Sequence, residues 1–192
     1  MSQFIEPQPF QTHPDTFSRS ELRKHLRKHR RALSFEQQQQ AAEYLALNLL
    51  KNPDLHRARH IAIYLPNDGE IDPHVYLDIA RRKGIRFYLP VLHPIHEGRL
   101  VFSPYYDGVE LTANRFGIPE PAFRFDEQGG RLGMGGGFYD RTFAFSRIRP
   151  RLAPKLIGLA HDFQKVKKLP IEPWDVPLHS VVTDKRRYRF SG

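Results

Sequence analysis

The stretch from His60 to Val91 constrains the fold more than any other part of the chain. His60–Leu65 (HIAIYL) is a short β-branched and aromatic run, closed by Pro66-Asn67-Asp68-Gly69, residues that favour tight turns. Asp72-Pro73 then sets a cap residue and a proline at the first helical position, ahead of Val75, Leu77, Ile79 and Ala80. Gly84 stops that helix, and Ile85–Val91 (IRFYLPV) reads as the next strand. Strand, helix and strand in so short a span predict a βαβ unit, with the helix as the crossover between two parallel strands. Further strands are expected at Arg99–Tyr105, Lys155–His161 and His179–Thr183. Strands separated by helical segments predict an α/β fold of three layers (α/β/α), a mostly parallel open sheet with helices on both faces.

Two helices precede this unit. From Phe17 to Leu33, Leu22, Leu26 and Leu33 recur at helical spacing among Arg19, Arg23, Lys24, Arg27, Lys28, Arg30 and Arg31, a strongly basic amphipathic helix. Ser34 with Gln37 three residues on is a capping box, and Ala42, Leu45, Ala46 and Leu49 supply the apolar stripe of a second helix. Residues 1–16 carry Pro7, Pro9 and Pro14 without periodicity and read as a mobile extension. Residues 17–192 then form a single domain, a length suited to one core.

Charge and cysteine content bound the chemistry. Thirty Lys and Arg against 21 Asp and Glu give a net charge of +9, which favours anionic partners without choosing among nucleic acid, lipid and nucleotide. The absence of cysteine excludes disulfides, thiolate zinc sites and thiol catalysis. No apolar run approaches the roughly 18 residues of a membrane span and no secretory signal is visible. A cytoplasmic protein without a membrane partner is therefore expected.

The richest stretch chemically is Arg131–Arg141, RLGMGGGFYDR. Gly133, Gly135, Gly136 and Gly137 let backbone N–H groups turn toward one point and approach an anion without Cβ interference, just ahead of a helix start. A plain turn is the competing reading. Arg131 and Arg141 bracket the loop as phosphate partners, and Asp140 offers a hard oxygen ligand of the kind Mg²⁺ takes. The loop is neither a Walker A motif, for no Lys-Ser or Lys-Thr follows, nor G-x-G-x-x-G, because Phe138 stands at the last position. His25 and His29 stand four apart on the basic helix but lack the glutamate of H-E-x-x-H, and the neighbouring positive charge disfavours a metal.

With RLGMGGGFYDR, the chain resembles the 5-formyltetrahydrofolate cyclo-ligases, also called methenyltetrahydrofolate synthetases, in their bacterial form. The resemblance runs from about Arg19 to Val182 through LRKHRRALS, YLPNDGEID, RFYLPVLHP, the Gly-Ile-Pro-Glu-Pro segment at 117–121, GLAHDFQ and EPWDVPLHSVVT. It implies a ligase in one-carbon metabolism that uses ATP as co-substrate and Mg²⁺ as cofactor. The reaction closes 5-formyltetrahydrofolate to 5,10-methenyltetrahydrofolate and releases ADP and phosphate. The partners implied are small molecules, a reduced folate and ATP, with no nucleic acid and a monomeric enzyme.

Residue by residue, the resemblance gives the nucleotide to Arg19 and Arg23, four apart on one helical face, and to the loop Arg131, Leu132, Gly133, Met134, Gly135, Gly136, Gly137, Phe138 and Tyr139. Arg131 and Arg141 position the phosphoryl group, and Mg²⁺ falls to Asp140 and Asp175. The folate falls to Asn67, Glu70 and Asp72, with Met134, Gly135, Gly136, Gly137 and Phe138 facing both ligands. On the residues alone, Arg19 and Arg23 also read as solvated surface charges, Asp175 as a loop carboxylate or cap, and Asp72 as a helix N-cap. Phe138 and Tyr139 read equally as packing aromatics.

The chain departs from the family pattern in two places. Only nine residues, AFRFDEQGG, separate Pro121 from Arg131, where the resemblance implies a longer segment containing an apolar strand. His179 stands where many members carry an aspartate. The short segment keeps open a nucleotide-binding relative without activity, and the basic helix keeps open an RNA-binding protein.

Overall fold

The computed structural model describes residues 18–92, 99–107, 111, 138–147, 153–166, 169, 171 and 173–190. The N-terminal extension, the segment 112–130 and the glycine loop 131–137 lie outside the described residues.

The basic helix, α1 (Arg19–Arg31), opens on a capping box. The Ser18 hydroxyl accepts from the Glu21 N–H at 3.2 Å while the Glu21 carboxylate takes the Ser18 N–H at 2.8 Å. The same device, Ser34 with Gln37, opens α2 (Phe35–Leu50), so two successive helices begin by satisfying backbone N–H groups that have no partner within the helix. α1 buries Leu22 and Leu26 against Leu169, with Phe163 and Val166 alongside. His25 and His29 pack edge to face at 4.3 Å.

The βαβ unit forms as expected. β1 (His60–Ala62) lies parallel to β2 (Arg86–Leu92), with α3 (His74–Arg82) as the crossover. α3 starts one residue later than the sequence suggests. Pro73 occupies the cap position, and the Asp72 carboxylate accepts the His74 N–H at 2.8 Å. Gly84, at φ 79°, turns the chain out of the helix. β3 (Leu100–Tyr105) pairs antiparallel with β2. α4 (Phe138–Phe143) docks on β3, where the Thr142 hydroxyl takes the Leu100 N–H at 2.9 Å.

A second sheet follows, in which β4 (Ile157–Ala160) is parallel to β5 (Ser180–Thr183) and β6 (Arg187–Arg189) is antiparallel to β5. The α/β architecture therefore holds, with its strands in two three-stranded pieces, β1-β2-β3 and β4-β5-β6. Each piece has one parallel and one antiparallel pair. The antiparallel strands lie at one end of each piece, and β1 and β4 end the others.

α2 binds the two pieces together. Leu45, Ala46 and Leu49 share one core with Ile63, Phe87 and Leu89 of the first sheet and Val182 of the second. Removing a side chain of this size from water is worth about 2 kcal/mol. The Asn48 amide adds direction, donating to the carbonyls of Thr183 at 2.9 Å and Asp184 at 3.2 Å.

Candidate functional site

Two groups of polar side chains lie at opposite ends of α1. At its C-terminal end stands the turn after β1. Asp68 and Gly69 both adopt positive φ, 56° and 74°. At Gly69 the requirement is steric as well, since a Cβ would lie 2.7 Å from the Arg30 carbonyl oxygen. Three arginines of α1, Arg27, Arg30 and Arg31, pair with the Asp68 carboxylate. Arg30 is almost wholly buried, and its Nε also donates to the Asp68 carbonyl at 3.2 Å. Burial lowers the Arg30 pKa from its ordinary value, opposed by the charges of Glu70 and Asp68.

Two more elements hold the same turn. The Gln38 amide of α2 donates to the carbonyls of Gly69, at 3.1 Å, and Arg30, at 3.3 Å. Nε2 of His161, one residue past β4, lies 3.1 Å from the Gly69 carbonyl oxygen, and only an N–H there can donate to it. Burial pushes the His161 pKa down to about 4, with Arg30 adding to that and the Gly69 bond opposing it. The imidazole is therefore neutral at pH 7. It stacks on Phe163 at 5.3 Å, while its backbone N–H donates to Gln164.

This framework presents Asn67, Glu70 and Asp72. Glu70 is buried, and its carboxylate accepts the Asn67 N–H at 3.3 Å. Asp72 lies 2.5 Å from His74 Nδ1. That bond raises the His74 pKa, and although burial pushes Asp72 upward, the bonds from His74 leave it lowered.

At the N-terminal end of α1, Arg19 pairs with Asp175 at 3.2 Å. One residue on, the Val176 N–H donates to the Asp140 carboxylate of α4 at 3.0 Å. Arg23 is half-buried one turn along α1, and burial, then the Arg19 charge, lowers its pKa. Two cations and two carboxylates from three separate segments thus converge through contacts that never required closeness in sequence. Asp140 and Asp175 are suited to Mg²⁺, which takes one or two carboxylates and keeps its other positions for water and phosphate oxygens. Among the described residues, no group of three or more His, Asp or Glu could cage a metal on its own.

Of the residues singled out from sequence, Arg19, Arg23, Asp140 and Asp175 come together, and Asn67, Glu70 and Asp72 share one turn. Arg131, Leu132, Gly133, Met134, Gly135, Gly136 and Gly137 lie outside the described residues. Arg141 is exposed and sits over the Phe138 ring at 5.6 Å, and Tyr139 stacks on Phe143 at 6.3 Å. His179 has a structural task, taking the Leu156 N–H on Nδ1 at 3.0 Å. Asp68, Gln38 and His161 were missed. Asp68 could have been found from its Asp-Gly turn, whereas nothing in the sequence aims His161 or Gln38 at Gly69.

A profile of the 5-formyltetrahydrofolate cyclo-ligase family matches residues 15–184. The chain belongs to this family. The 5-formyltetrahydrofolate cyclo-ligase of Escherichia coli (strain K12) is 40% identical over 187 positions, covering 86% of this chain and 100% of the relative. That of Haemophilus influenzae is 34% identical and covers 88% of this chain and 98% of its own length. Two solved structures titled 5,10-methenyltetrahydrofolate synthetase share the fold. The one from Aquifex aeolicus has a TM-score of 0.69 at 28% identity, covering 91% of this chain and 93% of that one. The one from Mycoplasma pneumoniae has a TM-score of 0.68 at 24% identity, covering 88% and 99%.

This cyclo-ligase family member lacks some positions that its Escherichia coli relative has. The matched 86% of 192 residues is 165, fewer than the 187 aligned positions, so the relative has residues at positions where this chain has none. No helix among the described residues is long and apolar enough to cross a membrane.

Proposed function

We propose that this chain converts 5-formyltetrahydrofolate to 5,10-methenyltetrahydrofolate with ATP, releasing ADP and phosphate. The observation that carries the reading is the gathering of Arg19, paired with Asp175, its neighbour Arg23, and Asp140, bonded to the N–H next to Asp175, at one end of the basic helix. The names of the relatives supply the substrate class.

In the reaction, the formyl oxygen takes the γ-phosphoryl group from ATP and the bond to the ADP oxygen breaks. N10 then attacks the activated carbon, loses its proton, and phosphate departs with the former formyl oxygen. No protein nucleophile is required. The demand falls on charge neutralisation and alignment, which preorganised cations and N–H groups meet. Arg19 and Arg23 bind the phosphates, with Arg131 and Arg141 flanking the glycine loop. As phosphate reaches Arg19, it replaces Asp175 as the partner of the guanidinium. Asp140 and Asp175 would hold Mg²⁺, which supplies further neutralisation at the phosphates. Asn67, Glu70 and Asp72 orient the reduced folate. The protein works as a monomer in the cytoplasm, without nucleic-acid or membrane partners.

An absorbance assay with 5-formyltetrahydrofolate and MgATP tests the reaction, with ATP omitted as control. ATP-dependent methenyltetrahydrofolate is expected, and Asp140→Asn should lower turnover at least about a hundredfold while the unfolding transition stays cooperative. Unchanged turnover at saturating Mg²⁺ removes Asp140 from the metal site. A second reading, a nucleotide-binding relative without turnover, is favoured by the positions this chain lacks. ATP binding with no product from folded protein would select it.

A further inference from the structure

The backbone around Asp72 is pinned from both sides. Ile71 before it is buried, and the Ile71 carbonyl accepts the Tyr64 hydroxyl at 2.6 Å. Pro73 after it restricts the backbone of Asp72 itself to extended conformations. The freedom left to Asp72 is rotation of its own side chain. Among the described residues, His74 alone bonds that carboxylate.

Both bonds fall on one oxygen. Oδ1 accepts the His74 backbone N–H at 2.8 Å and lies 2.5 Å from His74 Nδ1. An sp² oxygen accepts near the plane of its lone pairs, so two donors on Oδ1 fix the plane of the carboxylate as well as the place of that oxygen. The ring donates from Nδ1–H whether it is neutral or cationic, and the carboxylate charge strengthens the bond in either state. Oδ2 is bonded by none of the described residues, and 42% of the Asp72 side chain is exposed, so a ligand can reach the carboxylate. The cap on α3 uses the backbone N–H, which makes the ring a separable contribution.

On the assignment of Asp72 to folate made above, we propose that His74 is a positioning residue for that substrate: its imidazole locks Asp72 through Oδ1 and so presents Oδ2 to the ring N–H donors of formyltetrahydrofolate. A carboxylate set in place before the substrate arrives spares the cost of ordering it during binding.

Steady-state kinetics of the full chain in formyltetrahydrofolate, at saturating MgATP, test this. His74→Leu keeps the backbone cap and removes the ring donor. Its KM for the folate should rise about tenfold while kcat changes about twofold or less, and MgATP affinity should hold. His74→Asn places an amide N–H where Nδ1 stood and should bring KM back to within about threefold of the parent value. Equilibrium titration with formyltetrahydrofolate should give the same order of affinities without any turnover. An unchanged KM and Kd in His74→Leu overturn the proposal alone if Asp72→Asn still weakens folate binding. If Asp72→Asn has no effect either, the assignment of Asp72 to folate falls and the proposal with it. Equal losses in the Leu and Asn variants, or a loss of MgATP affinity or of the unfolding midpoint alongside, also overturn it, by giving the ring to the fold.

Discussion

Gly69 and His161 show how one buried polar contact can brace the turn after β1. The turn needs Gly69 because its φ is positive and Arg30 leaves no room for a Cβ. Its carbonyl takes two donors from distant segments, the Gln38 amide and His161 Nε2. With the folded His161 pKa about 4 against an ordinary 6.5, the unfolded chain binds a proton that the native protein refuses. The resulting stability is complete above pH 6.5 and is lost as pH falls toward 4, by about 3 kcal/mol over that window. Urea titrations at pH 7 and pH 4.5 check this. His161→Gln keeps a donor and removes the titration, so its stability should change less between the two pH values. In the same variant the affinity for formyltetrahydrofolate should hold, whereas His161→Leu, which leaves the Gly69 carbonyl with the Gln38 amide alone, should weaken folate binding more than MgATP binding. Little of this was legible in advance. Asp-Gly announced a turn, but the partners of a turn lie wherever the fold delivers them, here 92 residues along the chain.

Helix starts were the most legible elements because their signals are local. Ser34 with Gln37 fixed α2 to the residue. The equivalent Ser18 with Glu21 sets α1, whose expected start at Phe17 lies two residues ahead of the observed one at Arg19. Ser18→Ala should cost about 1 kcal/mol and fray the first turn. Because Arg19 stands in that turn, MgATP affinity should fall several-fold while folate affinity is retained, a split that separate titrations with each ligand would show. β6 was not anticipated. Arg187-Tyr188-Arg189 has no apolar alternation, and its strand conformation comes from pairing with β5 and from the Tyr188 hydroxyl, which donates to Asp162 at 2.7 Å. The convergence of Asp140 and Asp175 was likewise unreadable from spacing. The resemblance named them, and the fold brings the Asp140 carboxylate to the backbone N–H of Val176, next to Asp175.

At the scale of the whole molecule, net charge gave a direction without an address. Much of the positive charge on α1 is already committed, with three arginines on Asp68 and one on Asp175. The charge therefore serves as internal fastening more than as an open basic face. An RNA binder with six or more phosphate contacts loses about a thousandfold in affinity between about 0.05 and 0.2 M salt. Filter binding should find no such slope here, whereas MgATP binding through Arg19 and Arg23 should weaken about tenfold or less over the same range. Steep, tight RNA binding would return the protein to the rival class.

α1 spans about 20 Å and is fastened at both ends, to Asp175 near its start and to Asp68 in the turn after β1, the two places proposed above for phosphate and for folate. A rod pinned in this way transmits a shift at one end to the other. If nucleotide draws Arg19 away from Asp175, the strain reaching Asp68 alters the turn proposed for folate, and the reverse traffic must carry the same free energy. The two substrates then share one coupling constant: whatever factor ATP applies to the affinity for folate, folate applies to the affinity for ATP.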